Sequence, residues 1–179
     1  MPDRKKMSLD TLKTVRLLLL DVDGVLTDGT ILYPGNGEEI KVFCVKDGLG
    51  IRMLLRAEIG VGIVTGRAST ALKRRCAELG ISPVYENVAE KDLVLEKIVK
   101  QTGITPPRIA FMGDDLPDIP LMKRVGTPIA VADAHPAVIK AAKIVTTARG
   151  GKGAVREICE QIITAQGLWE KAAGTPLGS

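Results

Sequence analysis

The sequence of 179 residues has few aromatic side chains and a single histidine, and each shortage excludes a class of function. Aromatic residues make up 3% of the chain (Phe 2, Tyr 2, Trp 1), too few for the stacked rings that bind single-stranded nucleic acid. Because His135 is the one histidine, no metal site built on a histidine pair forms within one chain. A Ser-His-Asp triad would have to use that residue. The core must therefore be built from aliphatic side chains.

Cysteine, long apolar runs and net charge are also limited. The three cysteines, Cys44, Cys76 and Cys159, lie far apart without a signal-peptide pattern, which predicts reduced thiols in a cytoplasmic protein. The densest apolar run, Val15 to Leu20, contains Arg16 and is too short to span a membrane. The net charge is only +4 and the basic residues are scattered, so we expect neither a nucleic-acid nor a membrane partner. A mild positive field suits a small anionic substrate.

Short apolar runs alternate with segments of helical period along the chain. The predicted strands are Leu17–Asp21, Val61–Val64, Pro83–Tyr85, Ile109–Met112, Pro128–Val131 and Ile144–Val145. The predicted helices are Leu49–Glu58, Ala68–Leu79, Lys91–Thr102, Asp118–Val125, Pro136–Ala142 and Ala154–Gln166. Continuous apolar strands separated by helices predict an α/β fold with a doubly wound, mainly parallel, Rossmann-like sheet.

Three segments depart from this alternation. Residues 1–14 are polar and basic and predict a flexible N terminus, and residues 167–179 predict a flexible C-terminal tail. Residues 15–166 are predicted to form a single domain. Within it, Thr30–Tyr33 and Ile40–Val45 flank the turn sequence Pro34-Gly35-Asn36-Gly37, which predicts a β-hairpin over about 30–45, inserted after the first strand.

Polar side chains stand at the carboxyl ends of the predicted strands, where open α/β sheets bind their ligands. They are Asp21 and Asp23, Thr65 and Arg67, Lys91, and Asp114, Asp115 and Asp118. Two carboxylates about 4 Å apart repel by roughly 4 kcal/mol at an effective dielectric near 20, so the acidic cluster requires raised pKa values or a cation. An all-oxygen site favours Mg²⁺. A hydroxyl and an ammonium are suited to holding phosphoryl oxygens, so the set predicts phosphoryl chemistry on a carboxylate nucleophile.

Four motifs carry a family resemblance. They are DVDGVLT from Asp21, VTGR from Val64, the isolated Lys91, and GDDLPD from Gly113. In order and spacing they resemble the motifs of the haloacid dehalogenase-like phosphatases, over about residues 16–166. The resemblance implies that Asp21 attacks phosphorus and that Asp23 is the general acid and base. It implies that Asp21, the Asp23 carbonyl and Asp114 hold Mg²⁺, and that Thr65 and Lys91 stabilise the transferring group.

Further segments resemble a narrower family, the 3-deoxy-D-manno-octulosonate 8-phosphate (Kdo 8-phosphate) phosphatases. They are the hairpin in place of a cap domain, VKDGLGIR from Val45, AVADAHP from Ala130 and GGKGAVRE from Gly150. The resemblance implies hydrolysis of Kdo 8-phosphate for lipopolysaccharide biosynthesis, in a homotetramer whose hairpins form a barrel and whose neighbouring subunits cap each site. The implied substrate contacts are Asp23, Lys46, Asp47, Gly48, Arg52, Arg67, Arg75 and Lys91, with Asp115 and Asp118 behind the metal ligands. The Gly150–Gly153 loop is expected to close over the substrate.

Other readings remain open from the sequence. Sister phosphatases that act on nine-carbon sugar acids have a Glu after the Thr-Gly of the second motif. Arg67 stands there in this chain, and its guanidinium suits a substrate carboxylate, which favours the eight-carbon acid. A phospho-aspartate receiver domain shares the residue types, but its acidic pair lies on the first strand and its acceptor on the third. A non-catalytic scaffold with the same fold is disfavoured because the motifs are intact. A mutase is disfavoured because it generally needs a cap domain that excludes water.

Overall fold

A sheet of six parallel strands organises the protein, which we describe from a computed structural model over residues 10–35 and 39–174. The strands are β1 Leu17–Leu20, β2 Gly60–Val64, β3 Val84–Tyr85, β4 Ile109–Gly113, β5 Thr127–Ala130 and β6 Ile144–Val145. Their order is β3-β2-β1-β4-β5-β6, and every neighbouring pair is parallel. The predicted doubly wound α/β class is confirmed.

The central strand β1 explains why the apolar runs are continuous. All four leucines of Leu17–Leu20 are buried, because the strand has helices over both faces of its sheet. Leu20 pairs with Ile63 on one side and with Met112 on the other, so β1 and β4 end level with each other. The chain runs from β1 outward to β2 and β3 and then returns to β4, which makes the β1–β4 boundary the topological switch point.

Helices flank the sheet. They are α1 Val45–Arg56, α2 Thr70–Leu79, α3 Leu95–Thr102, α4 Ile119–Met122, α5 Pro136–Ala141, α6 Ala154–Gln166 and α7 Trp169–Ala173. Short 3₁₀ turns cover Lys91–Val94, Pro106–Arg108 and Leu116–Asp118. Helices α1, α6 and α7 pack against one another, and α4 packs against α5. No helix in the described part of the chain combines the length and the apolar composition needed to cross a bilayer.

Helix α1 begins at Val45, four residues before its predicted start at Leu49, so Val45 is helical and not the end of a strand as predicted. Two glycines inside α1 disfavour a helix by propensity, but their missing side chains allow close packing. A Cβ on Gly48 would lie 2.2 Å from Nη2 of Arg75, and one on Gly50 would lie 3.0 Å from the side chain of Arg156. Tertiary packing therefore overrides local preference here.

The predicted hairpin is present only as an isolated antiparallel bridge between Leu32 and Ile40, where Ile40 N donates to Leu32 O at 2.9 Å. Part of its predicted turn, Asn36 and Gly37, lies outside the described residues. Neither Thr30–Tyr33 nor Ile40–Cys44 forms a regular strand in the structure. A two-stranded ribbon without a third strand or a helix against it lacks the partners that stabilise regular pairing.

The described parts of both termini differ from the predicted flexible ends. Leu12 is fully buried, and Nε2 of Gln166 donates to the carbonyls of Leu12 and Val15 at 2.9 Å each. Helix α7 occupies residues that the composition assigned to the tail, and its Ala172 is fully buried. A few apolar side chains are enough to hold each end in place because they pack onto the core of the domain. Residues 1–9 and 175–179 lie outside the described part of the chain.

Candidate active site

The candidate site is a cavity of about 460 Å³ at the carboxyl ends of β1 and β4. Eight polar residues of the four motifs line it: Asp21, Asp23, Thr65, Arg67, Lys91, Asp114, Asp115 and Asp118. The level ends of β1 and β4 bring the first and fourth motifs together, while β2 supplies Thr65 and the turn after β3 leads to Lys91. The sheet therefore brings together the residues that the strand ends predicted.

Three carboxylates form the centre of the cavity. Asp21, Asp114 and Asp118 each place an oxygen within 4.8 Å of the others. Burial and the charge of Asp118 raise the pKa of Asp21 to about 6, although Lys91 opposes the shift. Burial, with Asp21 and Asp118, raises the pKa of Asp114 to about 8. These shifts are expected of carboxylates packed together without a cation of sufficient charge.

The donor set fits a hard divalent cation such as Mg²⁺. Its ligand atoms are oxygens, and Oδ1 of Asp114 is buried without a hydrogen-bond partner among the described residues. A buried carboxylate oxygen without a partner is costly unless a cation or water satisfies it. This unpaired oxygen lies in the cluster itself, which makes Asp21 and Asp114 the natural carboxylate ligands.

Lys91 is buried and links the carboxylates. Its Nζ lies 2.9 Å from Oδ1 of Asp21 and 2.6 Å from Oδ1 of Asp118. Burial lowers the pKa of Lys91, but the two carboxylates outweigh it and leave the pKa raised. The ammonium therefore remains charged at neutral pH beside Asp21. The contact with Asp21 also fixes where that carboxylate lies.

Asp118 shapes the turn after β4 as well as contacting Lys91. Its Oδ2 accepts from the backbone nitrogens of Asp114 at 2.9 Å and Asp115 at 3.2 Å. Asp115 in turn caps the 3₁₀ turn by accepting from Leu116 N at 2.8 Å. Asp118 was expected behind the metal ligands, and its carboxylate lies close enough to Asp21 and Asp114 to belong to the acidic cluster itself.

Glycines in the motifs leave room for these carboxylates. Gly24 has a φ of 88°, and a Cβ there would lie 2.0 Å from Oδ2 of Asp114. At Gly113 a Cβ would lie 2.4 Å from Oδ2 of Asp118. Any larger residue at either position would therefore displace a carboxylate of the acidic cluster.

The Gly150–Gly153 loop supports the segment after β1 instead of covering the cavity. Gly150 N donates to Oδ1 of Asp133 at 3.0 Å, and Gly151 N donates to Val25 O at 2.8 Å. A Cβ on Gly150 would lie 1.7 Å from Gly24 O, so backbone meets backbone there. The loop expected to close over a substrate thus packs behind the Asp21–Thr27 segment and holds it in place.

Asp23 belongs to a second charged cluster at the cavity mouth. Its Oδ1 contacts Nζ of Lys41, and its Oδ2 lies 3.7 Å from Nε of Arg67. Glu39 lies 2.6 Å from Lys41 Nζ and 2.7 Å from Nη2 of Arg67. Sequence reasoning missed Glu39 and Lys41. The signal was their alternation with the apolar Ile40 and Val42 in the second arm of the predicted hairpin.

Five of the implied substrate contacts lie outside this cavity in a single chain: Lys46, Asp47, Gly48, Arg52 and Arg75. Lys46 lines a separate cavity of about 390 Å³ beside Phe43 and Lys152. Arg52 donates from Nη2 to Glu78 O at 3.0 Å, on the surface between α1 and α2. No substrate contact from these side chains to the cavity of the same chain is expected.

Asp47, Gly48 and Arg75 have structural contacts that explain their positions. The buried carboxylate of Asp47 accepts from Arg156 N at 2.8 Å and Gly153 N at 3.4 Å, and so satisfies the N terminus of α6. Gly48 leaves room for the guanidinium of Arg75, which lies 5.9 Å from the centre of the Phe43 ring. The predicted substrate contact of the Asp47 side chain conflicts with this burial.

Comparison with known proteins agrees with this geometry. Residues 80–158 match the haloacid dehalogenase-like hydrolase family. The chain is 47% identical over 162 residues to the 3-deoxy-D-manno-octulosonate 8-phosphate phosphatase of Escherichia coli (strain K12), covering 90% of this chain and 86% of the relative.

Solved structures are similar over nearly the whole length. The enzyme of that name from Yersinia pestis superposes with a TM-score of 0.89 at 42% identity, covering 91% of this chain and 88% of the other. The Moraxella catarrhalis enzyme in complex with magnesium ion, phosphate ion and KDO superposes with a TM-score of 0.91 at 37% identity, covering 94% and 97%. The chain therefore belongs to the haloacid dehalogenase-like hydrolases and, within them, to the family of the 3-deoxy-D-manno-octulosonate 8-phosphate phosphatases.

Proposed function

We propose that this protein is a Mg²⁺-dependent phosphatase that hydrolyses Kdo 8-phosphate to Kdo and inorganic phosphate in lipopolysaccharide biosynthesis. The observation that carries the proposal is the buried cluster of Asp21, Asp114 and Lys91 at the switch point of the sheet. The names of the similar proteins supply the substrate. Three free cysteines support a cytoplasmic location.

Asp21 is the proposed nucleophile. Its carboxylate attacks phosphorus, the bond to the sugar oxygen breaks, and an aspartyl phosphate forms. Lys91, 2.9 Å from Oδ1 of Asp21, orients the carboxylate, and with the buried Thr65 hydroxyl it stabilises the negative charge on the phosphoryl oxygens. Mg²⁺, held by Asp21, Asp114 and the Asp23 carbonyl, would neutralise phosphoryl charge in the same cavity.

Asp23 is the proposed general acid and base. It donates a proton to the departing sugar oxygen and then accepts one from the water that hydrolyses the aspartyl phosphate. It follows Asp21 by two positions in sequence, and its half-buried side chain lines the cavity mouth, where the sugar would lie. It is therefore placed to exchange a proton at the bond that breaks.

Arg67 is the proposed recognition group for the sugar-acid carboxylate. It lines the cavity, and its side chain is 43% exposed, so a ligand can reach the guanidinium. Its contacts with Glu39 and Tyr33 hold the guanidinium over the mouth. A nine-carbon sugar acid would present the same carboxylate farther from the phosphate, which makes chain length the variable that the assay must test.

We further propose a homotetramer assembled through the hairpin segment. Apolar side chains along it and at the start of α1 are exposed in one chain: Ile31, Leu32, Tyr33, Ile40, Val42 and Val45. Exposed apolar side chains concentrated in one segment are typical of a protein–protein contact. In such an assembly Lys46, Arg52 and Arg75 would meet substrate in the cavity of a neighbouring subunit, because they lie outside the cavity of their own chain.

The test is phosphate release at neutral pH from Kdo 8-phosphate, Kdn 9-phosphate, N-acetylneuraminate 9-phosphate and an aryl phosphate, each with Mg²⁺ and with chelator. We expect Mg²⁺-dependent turnover with preference for Kdo 8-phosphate. Preference for a nine-carbon acid would contradict the proposed substrate but would remain consistent with the proposed mechanism. A stable phospho-protein without turnover would instead support the receiver alternative.

A further inference from the structure

The segment 39–43 has an inverted amphipathic pattern. Its apolar Ile40 and Val42 are 47% and 63% exposed, whereas the alternating Glu39 and Lys41 turn their side chains inward, with 14% and 2% exposed. Side chains in extended chain alternate between two faces, so one face carries the charges and the other the apolar groups. The inward charges therefore need partners inside the protein.

Lys41 finds those partners at the cavity mouth. Its Nζ contacts Oδ1 of Asp23 and lies 2.6 Å from Oε1 of Glu39. Burial lowers the pKa of Lys41, but the hydrogen bonds to Asp23 and Glu39 outweigh it and leave the pKa raised. Removing one partner of a buried ion pair leaves the other uncompensated. The position of Asp23 is therefore tied to Lys41.

Lys41 is not among the residues that line the cavity. Of the three protons on its ammonium, two are directed at Asp23 and Glu39. Glu39 also contacts Arg67. This second contact fixes the Glu39 carboxylate, which in turn holds Lys41. Lys41 therefore reaches the chemistry directly through Asp23 and reaches Arg67 only through Glu39.

We propose that Lys41 is a positioning residue that holds the Asp23 carboxyl group toward the sugar oxygen that leaves phosphorus. The inference rests on the proposed function, in which Asp23 protonates that oxygen. As Asp21 forms its bond to phosphorus, the bond from phosphorus to the sugar oxygen breaks and the oxygen takes the Asp23 proton. The carboxylate that remains lies against the Lys41 ammonium. It then takes a proton from the water that hydrolyses the aspartyl phosphate.

Comparison of two leaving groups tests this role. The sugar oxygen of Kdo 8-phosphate needs a proton to leave, whereas p-nitrophenolate leaves as an anion. The ratio kcat/KM reports the steps up to release of the leaving group, before the aspartyl phosphate is hydrolysed. For Lys41→Met we expect kcat/KM to fall about tenfold or more with Kdo 8-phosphate, since general acid catalysis contributes about 10²–10⁴-fold. With p-nitrophenyl phosphate we expect a fall of less than about threefold, because no acid is required.

Three further variants control the result. Lys41→Arg keeps a cationic donor and should recover most of the loss, while Glu39→Gln weakens the second anchor of Lys41 and should produce a smaller loss with the same leaving-group dependence. Lys171→Met removes the cation of an ion pair with Glu58, 2.6 Å away and outside the cavity. It should change kcat/KM for neither substrate. Thermal unfolding of each variant shows that it is folded, and Glu39→Gln remains informative if Lys41→Met does not fold.

Other outcomes would overturn the proposal. Equal losses with both phosphate esters would mean that Lys41 supports the fold of the site without positioning the acid. A raised KM for Kdo 8-phosphate with unchanged kcat would mean that Lys41 supports substrate binding through Glu39 and Arg67 and does not position the acid. In either case Mg²⁺-dependent turnover by the wild-type protein would leave the proposed function standing, and its absence would remove that function independently of Lys41.

Discussion

The two sides of the cavity are built in different ways. Asp21 and Asp114 follow strands whose neighbours fix them in register, and they lie on a sheet whose core is fully buried. Lys41 comes from a segment held by one antiparallel bridge, with its apolar neighbours facing outward. The comparison indicates that the sheet places the proposed phosphoryl-transfer groups together within one chain. The hairpin segment adds a partner for Asp23 and, in the proposed tetramer, a surface for other chains.

The largest effect is expected on the sheet side. Asp21→Asn removes the proposed nucleophile and should lower kcat by about 10⁴-fold or more, as removal of a nucleophile does in other covalent enzymes. The fold should remain, because the change also removes one charge from a repulsive cluster. Phosphate release and thermal unfolding measure the two effects separately.

Asp115→Asn is the matched control for Asp21→Asn. Asp115 lies in the same cavity lining, but its carboxylate is exposed and caps a 3₁₀ turn through Leu116 N. Asn is also a good N-cap residue, so the variant should keep most of the activity and stability. Comparable losses in both variants would contradict the assignment of the nucleophile to Asp21.

The two regions also differ in how far the sequence predicts them. The strand ends and the order of motifs placed Asp21, Thr65, Lys91 and Asp114 in one cavity, because parallel strands bring their carboxyl ends together whatever the details of packing. No comparable rule predicts the position of Lys41. Its position depends on a long-range ion pair with Asp23, which a local pattern does not encode.

The start of α1 and the C terminus show the same limit. The sequence predicted that this helix starts at Leu49, whereas α1 starts at Val45 and places Gly48 and Gly50 against Arg75 and α6. Composition likewise assigned Trp169–Ala173 to a tail, whereas packing against α1 and α6 stabilises a helix there. In both places tertiary contacts, which are remote in sequence, decided the local structure.

Replacing a glycine by alanine should destabilise the protein more on the sheet side of the cavity than in the hairpin segment. In Gly150→Ala the new Cβ would lie 1.7 Å from Gly24 O, and because that oxygen is part of the backbone, the Asp21–Thr27 segment must shift. We expect a loss of about 1–3 kcal/mol or more in the free energy of unfolding. Displacement of Asp21 by about 1 Å would also lower kcat by about 10²-fold. Chemical denaturation and phosphate release measure these effects.

Gly35→Ala is the control on the hairpin side. A Cβ on Gly35 would meet no heavy atom within 4 Å in the described structure. Its effect on the free energy of unfolding should lie within about 0.5 kcal/mol, as for other surface substitutions. If Gly150→Ala is as mild as this control, the Gly150–Gly153 loop does not support the segment after β1.

The outward face of the hairpin segment predicts an effect on assembly. Val42 is 63% exposed in one chain, so Val42→Lys should leave the fold of the subunit unchanged. In the proposed tetramer the same change buries an unpaired ammonium, which is strongly unfavourable. Sedimentation should therefore show dissociation to smaller species. Val145→Lys, at an apolar residue that is 42% exposed on β6, should keep the wild-type mass. An unchanged mass for Val42→Lys would place the subunit contact elsewhere.

The smallest expected effect is the pH dependence of stability that arises from the carboxylates on the sheet side of the cavity. The pKa values of Asp21 and Asp114, raised to about 6 and about 8 from 3.8, mean that the metal-free folded protein holds more protons than the unfolded chain between about pH 4 and pH 8. Its free energy of unfolding should consequently fall as the pH rises through that window. Mg²⁺ must displace those protons, so its affinity should rise over the same window.

Thermal unfolding with and without Mg²⁺ at pH 6 and pH 8 measures this linkage. Each proton released on binding changes the binding free energy by about 1.4 kcal/mol per pH unit, so the gain in Tm from Mg²⁺ should be larger at pH 8. Asp114→Asn removes the group with the higher pKa and should flatten the difference. Equal Mg²⁺ stabilisation of the wild-type protein at both pH values would mean that the carboxylates of the acidic cluster are already ionised without the metal. The Lys91 ammonium, 2.9 Å from Asp21, would then be sufficient to keep these carboxylates ionised in the metal-free protein.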